Sequence, residues 1–123
     1  MNTVQILGNL GKEPDIRATG TGKTVASFSV AVKRKYTTQQ GEVKELTDWI
    51  NVVAWGNLAE AVGNQLKKGS RVFVEGRYST RSYEDKSGNK RYVTEVIANM
   101  IAKPLEQGSF AKYGDVESDS IPF

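Results

Sequence analysis

The sequence predicts a mainly β protein: a five-stranded Greek-key barrel with one short helix between the third and fourth strands, plus a disordered acidic C-terminal tail. Three observations carry this reading. Apolar residues alternate along most of the chain, as they do in half-buried strands. Only the stretch after Gly56 switches to helical spacing. The charge also changes sign near residue 104: residues 1–103 hold 16 Lys/Arg against 10 Asp/Glu, a net of +6, and residues 104–123 hold one Lys and four acids, a net of −3.

Val4, Ile6 and Leu10 share one face of the first strand, with Gly8 where a bulge or a close backbone approach is expected. Gly20-Thr21-Gly22-Lys23 reads as a turn. The second strand runs from Thr24 to about Lys35, with Ala26, Phe28, Val30 and Val32 on one side. Thr37 to Glu45 is polar and reads as an exposed loop. In the third strand, Leu46 to Trp55, Trp49, Asn51, Val53 and Trp55 face one way and Ile50, Val52 and Ala54 the other. Asn57 is the expected N-cap of the helix, with Glu60 completing a capping box. Leu58, Val62 and Leu66 form its apolar stripe, Lys67 and Lys68 fill its last turn, and Gly69 suits the C′ position. Strand four covers Arg71 to about Glu84, Lys86-Ser87-Gly88-Asn89 is a hairpin turn, and strand five covers Lys90 to Ile101. This is the element order of an OB-fold; an SH3-like barrel is the rival, but it seldom carries such a helix there.

At 123 residues the chain has room for one small domain and an appendage. Residues 1–103 form the barrel, 104–118 a flexible linker and 119–123 a terminal tip. No run approaches the ~18 apolar residues of a membrane span. The opening residues show no secretory signal. Cysteine is absent, in keeping with a reducing, cytoplasmic setting, and so is histidine. That removes Cys-ligated zinc, His-dependent triads and the usual general base. Asp48, Glu75, Glu84, Asp85 and Glu95 remain as carboxylates for a small nuclease, but they show no metal-ligand spacing. No cofactor is expected.

A surface for unstacked nucleic acid needs cations along the phosphate path and flat rings on which bases lie. The chain sets rings beside charges repeatedly. Lys33-Arg34-Lys35-Tyr36 stands where the second strand leaves the barrel. Trp49 and Trp55, six residues apart, share a strand face. Arg77, Arg81 and Tyr83 share parity on the fourth strand, which is expected to extend as an arm. A strand Trp more often fills a core than carries a base. Here Ile50, Val52 and Ala54 supply the core face, leaving the tryptophans to the other. Tyr78 and Tyr92 have less basic surroundings and read as structural. Arg17, Lys67 and Lys68 are further candidates for phosphate contact. At the tip, Asp119-Ser120-Ile121-Pro122-Phe123 joins acids to bare hydrophobic residues, the composition of a docking peptide.

These residues and their order resemble the bacterial single-stranded DNA-binding protein family. The matching stretches are Asn2 to Gly11, Pro14 to Arg17, Thr47 to Gly56, Leu66 to Ser70, Val74 to Arg77 and the terminal Asp119 to Phe123. The resemblance implies stacking by Tyr36, Trp49, Trp55 and Tyr83, and phosphate contact by Arg17, Lys68 and Arg81 with Lys67 nearby. It implies a homotetramer that wraps single-stranded DNA and a tip that recruits replication, recombination and repair proteins. Pro122, Phe123 and the terminal carboxylate would dock, with Ile121 beside them and Asp119 steering. Tyr36 and Tyr83 stand where well-studied relatives carry Trp, a larger platform. The linker is short for the family; 15 flexible residues span about 20–23 Å. A related replication-restart or RNA-binding OB-fold is the alternative, against which the terminal Asp-Ser-Ile-Pro-Phe argues.

Overall fold

The computed structural model describes residues 1–105; the tip assigned from the sequence, and the linker from residue 106 onward, lie outside them. The elements are β1 Val4–Leu10, β2 Asp15–Ala18, β3 Thr24–Thr37, β4 Val43–Trp55, α1 Asn57–Gln65, β5 Arg71–Glu84 and β6 Lys90–Ala102. The barrel is the expected OB-fold of five strands, with β2 as an addition. β1 lies antiparallel to β5 from Val4↔Gly76 to Asn9↔Arg71, and its end also pairs with β3 at Asn9↔Ala31 and Leu10↔Val30. β3 pairs with β4 and β5 with β6, each antiparallel along a long hairpin. A two-residue parallel contact, Val52↔Val96 and Val53↔Ile97, closes the ring between β4 and β6.

The barrel is narrow and its filling is small and β-branched. Val30, Val52, Val72 and Val74 are fully enclosed, with Ala26, Phe28, Ala54, Val96 and Ala98 around them. Such side chains suit a pleated wall seen from inside. Ala59, Val62 and Leu66 of the helical segment complete this core. Gly8 is a close approach, as expected: a Cβ there would collide with the Ala31 carbonyl of the strand that β1 crosses. Gly76 has the same role at the bulge where β5 shifts register against β6.

Four local expectations are corrected. β2, for which the sequence reading assigns no element, is a four-residue strand laid on the edge of β3 (Asp15↔Ser27 to Ala18↔Thr24). The β3–β4 loop is shorter than expected, closing from Thr38 to Glu42 around Gly41 with Thr38 N donating to Glu42 O at 2.8 Å. Gly56, not Asn57, caps α1; its φ of 65° favours glycine, and no side chain bonds the free amides, so there is no capping box. The helix also ends earlier, at Gln65. Lys67 and Lys68 therefore lie in the following turn rather than the last helical turn, and Gly69 serves that turn instead of C′.

Two arms leave the barrel. Lys33–Thr37 pairs only with Val43–Thr47, and Ser79–Glu84 only with Lys90–Glu95. Asp85 fastens the tip of the second arm. Its Oδ1 accepts from the Ser87 and Asn89 amides at 2.9 Å each, and its Oδ2 pairs with Arg91 Nε at 2.8 Å. The Arg91 bond, then the Asn89 amide, hold this carboxyl below the ordinary carboxylate range, against a smaller opposing effect of burial. A lowered pKa stabilises the folded tip at pH values above the ordinary carboxylate range, and that contribution is lost as pH falls through the folded value. Amide NMR should therefore show Ser87 and Asn89 unmoved down to that range and shifting together below it. Loss of the tip at a higher pH, or an unchanged titration in Asp85→Asn, would contradict this.

Candidate nucleic-acid interface

Period-two alternation combined with the strand registers defines one outer surface across five strands. Its central row runs Asp15, Ser27, Val53, Ile97 and Arg77 across β2, β3, β4, β6 and β5. On one side lies the row Arg17, Val25, Trp55. On the other come Ser29 with Asn51, Ala31 with Trp49, Lys33 with Thr47 and Lys35 with Glu45. On β5, Ser79, Arg81 and Tyr83 continue the same face past Arg77. Arg17, Lys33, Lys35, Trp49, Trp55, Arg77, Arg81 and Tyr83 thus share one surface. It is turned outward because the alternate residues of β3, β4, β5 and β6 within the barrel fill the core.

All four expected platforms are exposed: Trp49 by 62%, Tyr83 by 48%, Trp55 by 47% and Tyr36 by 41%. The two tryptophans stand about 20 Å apart along β4, six residues at the strand rise. Tyr36 and Arg34 are not with the others. Their parity is that of Phe28, Val30 and Val32, so on the arm they occupy the opposite face. The run Lys33-Arg34-Lys35-Tyr36 is therefore split, two lysines to one side and Arg34 with Tyr36 to the other. Arg34 is paired there with Asp48 at 3.1 Å. Lys67 and Lys68 are exposed in the turn after α1, and the Lys68 amide donates to Glu13 Oε1 at 3.1 Å.

Between the tryptophans the surface sinks into a recess of about 370 Å³ whose lining includes Glu13, Ser29, Asn51, Val53, Arg81 and Glu95. Glu95, only 7% exposed, is the buried charge of the region, and Arg81 Nε pairs with its Oε1 at 2.8 Å. The Arg81 side chain stays largely exposed while it makes that bond. Ser29 Oγ donates to Asn51 Oδ1 at 3.2 Å. The recess is lined by both signs of charge, Glu13, Asp15 and Glu95 beside Lys12 and Arg81, and Arg17, Lys33 and Lys35 stand on the surrounding surface.

Sequence reasoning missed Asn51, Ser29 and the role of Glu95; the cross-strand polarity of a face bounded by two tryptophans was the available signal. Tyr78 and Tyr92, read as structural, are exposed on the other face of the β5–β6 hairpin, with Lys90 Nζ 5.5 Å from the Tyr92 ring centroid. Asp48, Glu75, Asp85 and Glu95 all have partners: Arg34, Gln5, Arg91 and Arg81. Among the described residues no three carboxylates gather as a metal site. No described helix is long and apolar enough to cross a membrane.

A family model described as the single-strand binding protein family matches residues 1–103. The Single-stranded DNA-binding protein 2 of Listeria monocytogenes is 48% identical over 101 residues, covering 82% of this chain and 62% of that protein. The Single-stranded DNA-binding protein 1 of Chlorobaculum tepidum is 41% identical over 98 residues, 79% of this chain and 60% of its own length. The match thus spans about three-fifths of these relatives. Among solved structures, one described as the Plasmodium falciparum SSB complex with ssDNA superposes with a TM-score of 0.74 at 31% identity, covering 83% of this chain and 91% of that one. Barrel, exposed rings and sequence agree, and the chain belongs to the single-strand binding protein family.

Proposed function

We propose that this protein binds single-stranded DNA without reading its sequence and, through its terminal tip, gathers proteins of replication, recombination and repair. The observation that carries the first part is the continuous outer surface on which exposed Trp49, Trp55 and Tyr83 alternate with Arg17, Lys33, Lys35, Arg77 and Arg81. Rings of this kind accept any base, and cations release counterions from any phosphate, so neither encodes a sequence. Duplex DNA keeps its bases stacked inside and can use only the cations. The relatives' names and the solved complex with ssDNA support the reading.

In this mechanism bases turn toward the recess and stack on Trp49 and Trp55, phosphates follow the basic rim, and Tyr83 with Arg81 holds the strand on the β5–β6 arm. Tyr36 is reached by a strand that turns around the edge of the β3–β4 arm, which accounts for its place on the opposite face. Lys67 and Lys68 extend the basic rim beyond α1. Wrapping around several copies in a homotetramer would let one strand meet both faces. The family is one of binding proteins rather than enzymes, and no bond is broken in this scheme.

The tip contributes separately. Pro122 and Phe123 supply apolar contact, Ile121 extends it, and Asp119 with the terminal carboxylate would meet a basic-rimmed pocket on a partner. The linker of residues 104–118 is the tether.

Two outcomes are expected. Trp49→Ala and Trp55→Ala should each cost ~1–3 kcal/mol in binding oligo-dT, measured by anisotropy of a labelled strand. Their affinity for duplex should stay at the parent's level; equal losses on both would contradict stacking. Deleting residues 119–123 should abolish capture of replication, recombination and repair proteins while leaving oligo-dT affinity equal or slightly higher, because an acidic competitor is removed. Undiminished capture would remove the docking role.

A further inference from the structure

Trp49 is the most exposed of the four rings, yet its indole is backed by the protein. The six-membered ring lies against Gly11. A Cβ on Gly11 would overlap Cζ3 of the indole and stand 3.0 Å from Cη2 and 3.5 Å from Cε3. The space beside Gly11 holds a hydrogen and nothing larger while the ring keeps this pose. Backbone freedom is not the reason for a glycine here, because Gly11 is not among the residues with positive φ. An alanine would fit the backbone; it would not fit the ring.

Gly11 is itself held in place. Its amide donates to Ser29 O at 3.1 Å. The preceding Leu10 is buried, paired with Val30, and fixed by two further bonds: its amide donates to Ser70 O and its carbonyl accepts from Gly69 N, both at 2.9 Å. The support under the indole therefore belongs to the barrel frame, although Trp49 lies near the root of an arm. A ring already held in one pose loses less freedom when a base settles on it than a freely rotating one.

We propose that Gly11 is a positioning residue for nucleobase stacking: its bare backbone seats the Trp49 indole and presets the pose that a base meets. The inference rests on the stacking reading of Trp49, and the test separates the two. Oligo-dT affinity is measured for the parent, Gly11→Ala, Trp49→Ala, Trp49→Phe and the Gly11→Ala/Trp49→Phe pair. Phe lacks the outer ring that Gly11 supports, so it makes room for the added methyl. Gly11→Ala alone should weaken binding roughly fivefold or more, the scale of one lost stack. In the Trp49→Phe background the same substitution should change affinity by less than about twofold. In a Trp55→Phe background, where Trp49 is the remaining tryptophan, Gly11→Ala should shift its emission and near-ultraviolet circular dichroism. A merely structural change elsewhere would not do so.

If Gly11→Ala alone fails to fold, the pair with Trp49→Phe should fold and bind as Trp49→Phe does. A pair that still fails to fold would overturn the proposal. So would parent-like binding by Gly11→Ala, or an equal loss in both backgrounds. Weak binding by Trp49→Ala alongside parent-like Gly11→Ala removes the seat alone. Parent-like binding by Trp49→Ala removes the stacking reading, and the seat with it.

Discussion

Val52 and Val53 meet Val96 and Ile97 over two residue pairs, and that short parallel contact joins two long hairpins into one barrel. The rest of the surface follows from it. Alternation then sends Val52 and Val96 inward and keeps Val53 and Ile97 on the outer row. Because the central outer row runs unbroken from β2 to β5, rings on β4 and cations on β5 belong to one surface. Beyond the contact β4 pairs with β3 alone and β6 with β5 alone. A longer pairing would have zipped the arms together and closed the gap between them, where Ile50, Tyr78 and Thr94 line a further hollow beside Trp49.

The charges divide labour in a way that net charge conceals. The barrel is basic overall, yet the recess between the tryptophans carries acids, one of them nearly buried. A buried carboxylate is tolerated when it is paired and hydrogen-bonded, as Glu95 is with Arg81. The pair fixes Arg81 Nε while the rest of that side chain stays largely exposed. The recess thus sets Glu13, Asp15 and Glu95 beside Lys12 and Arg81, unlike a uniformly basic groove.

Much of this was legible in the sequence because period two is a strong signal where one face must be dry. Phe28, Val30 and Val52, Ala54 located the core, and their neighbours Trp49 and Trp55 followed by subtraction. The same rule, carried past Val32, places Arg34 and Tyr36 on the core side of β3; grouping them with Lys33 and Lys35 by adjacency concealed it. β2 left no such trace. Its four residues are all exposed and owe their strand form to the free edge of β3 rather than to any pattern of their own. The helix start was misplaced by one residue because Asn57-Leu58-Ala59-Glu60 resembles a capping box, while the positive φ at Gly56 makes the turn. The seat beneath Trp49 joins residues 38 positions apart and follows from the crossing of β1 over β3, which local pattern does not encode.

In the proposed function, base stacking on an exposed sheet face, added to ordinary phosphate attraction, makes single strands the preferred ligand. Tryptophan fluorescence during titration with oligo-dT and with duplex of equal length, at low and at high salt, tests it most directly. The account predicts strong quenching by oligo-dT that largely survives salt, and little response to duplex. Equal responses to both, each abolished by salt, would contradict it: the cations alone would be at work, and the tryptophans would carry no bases.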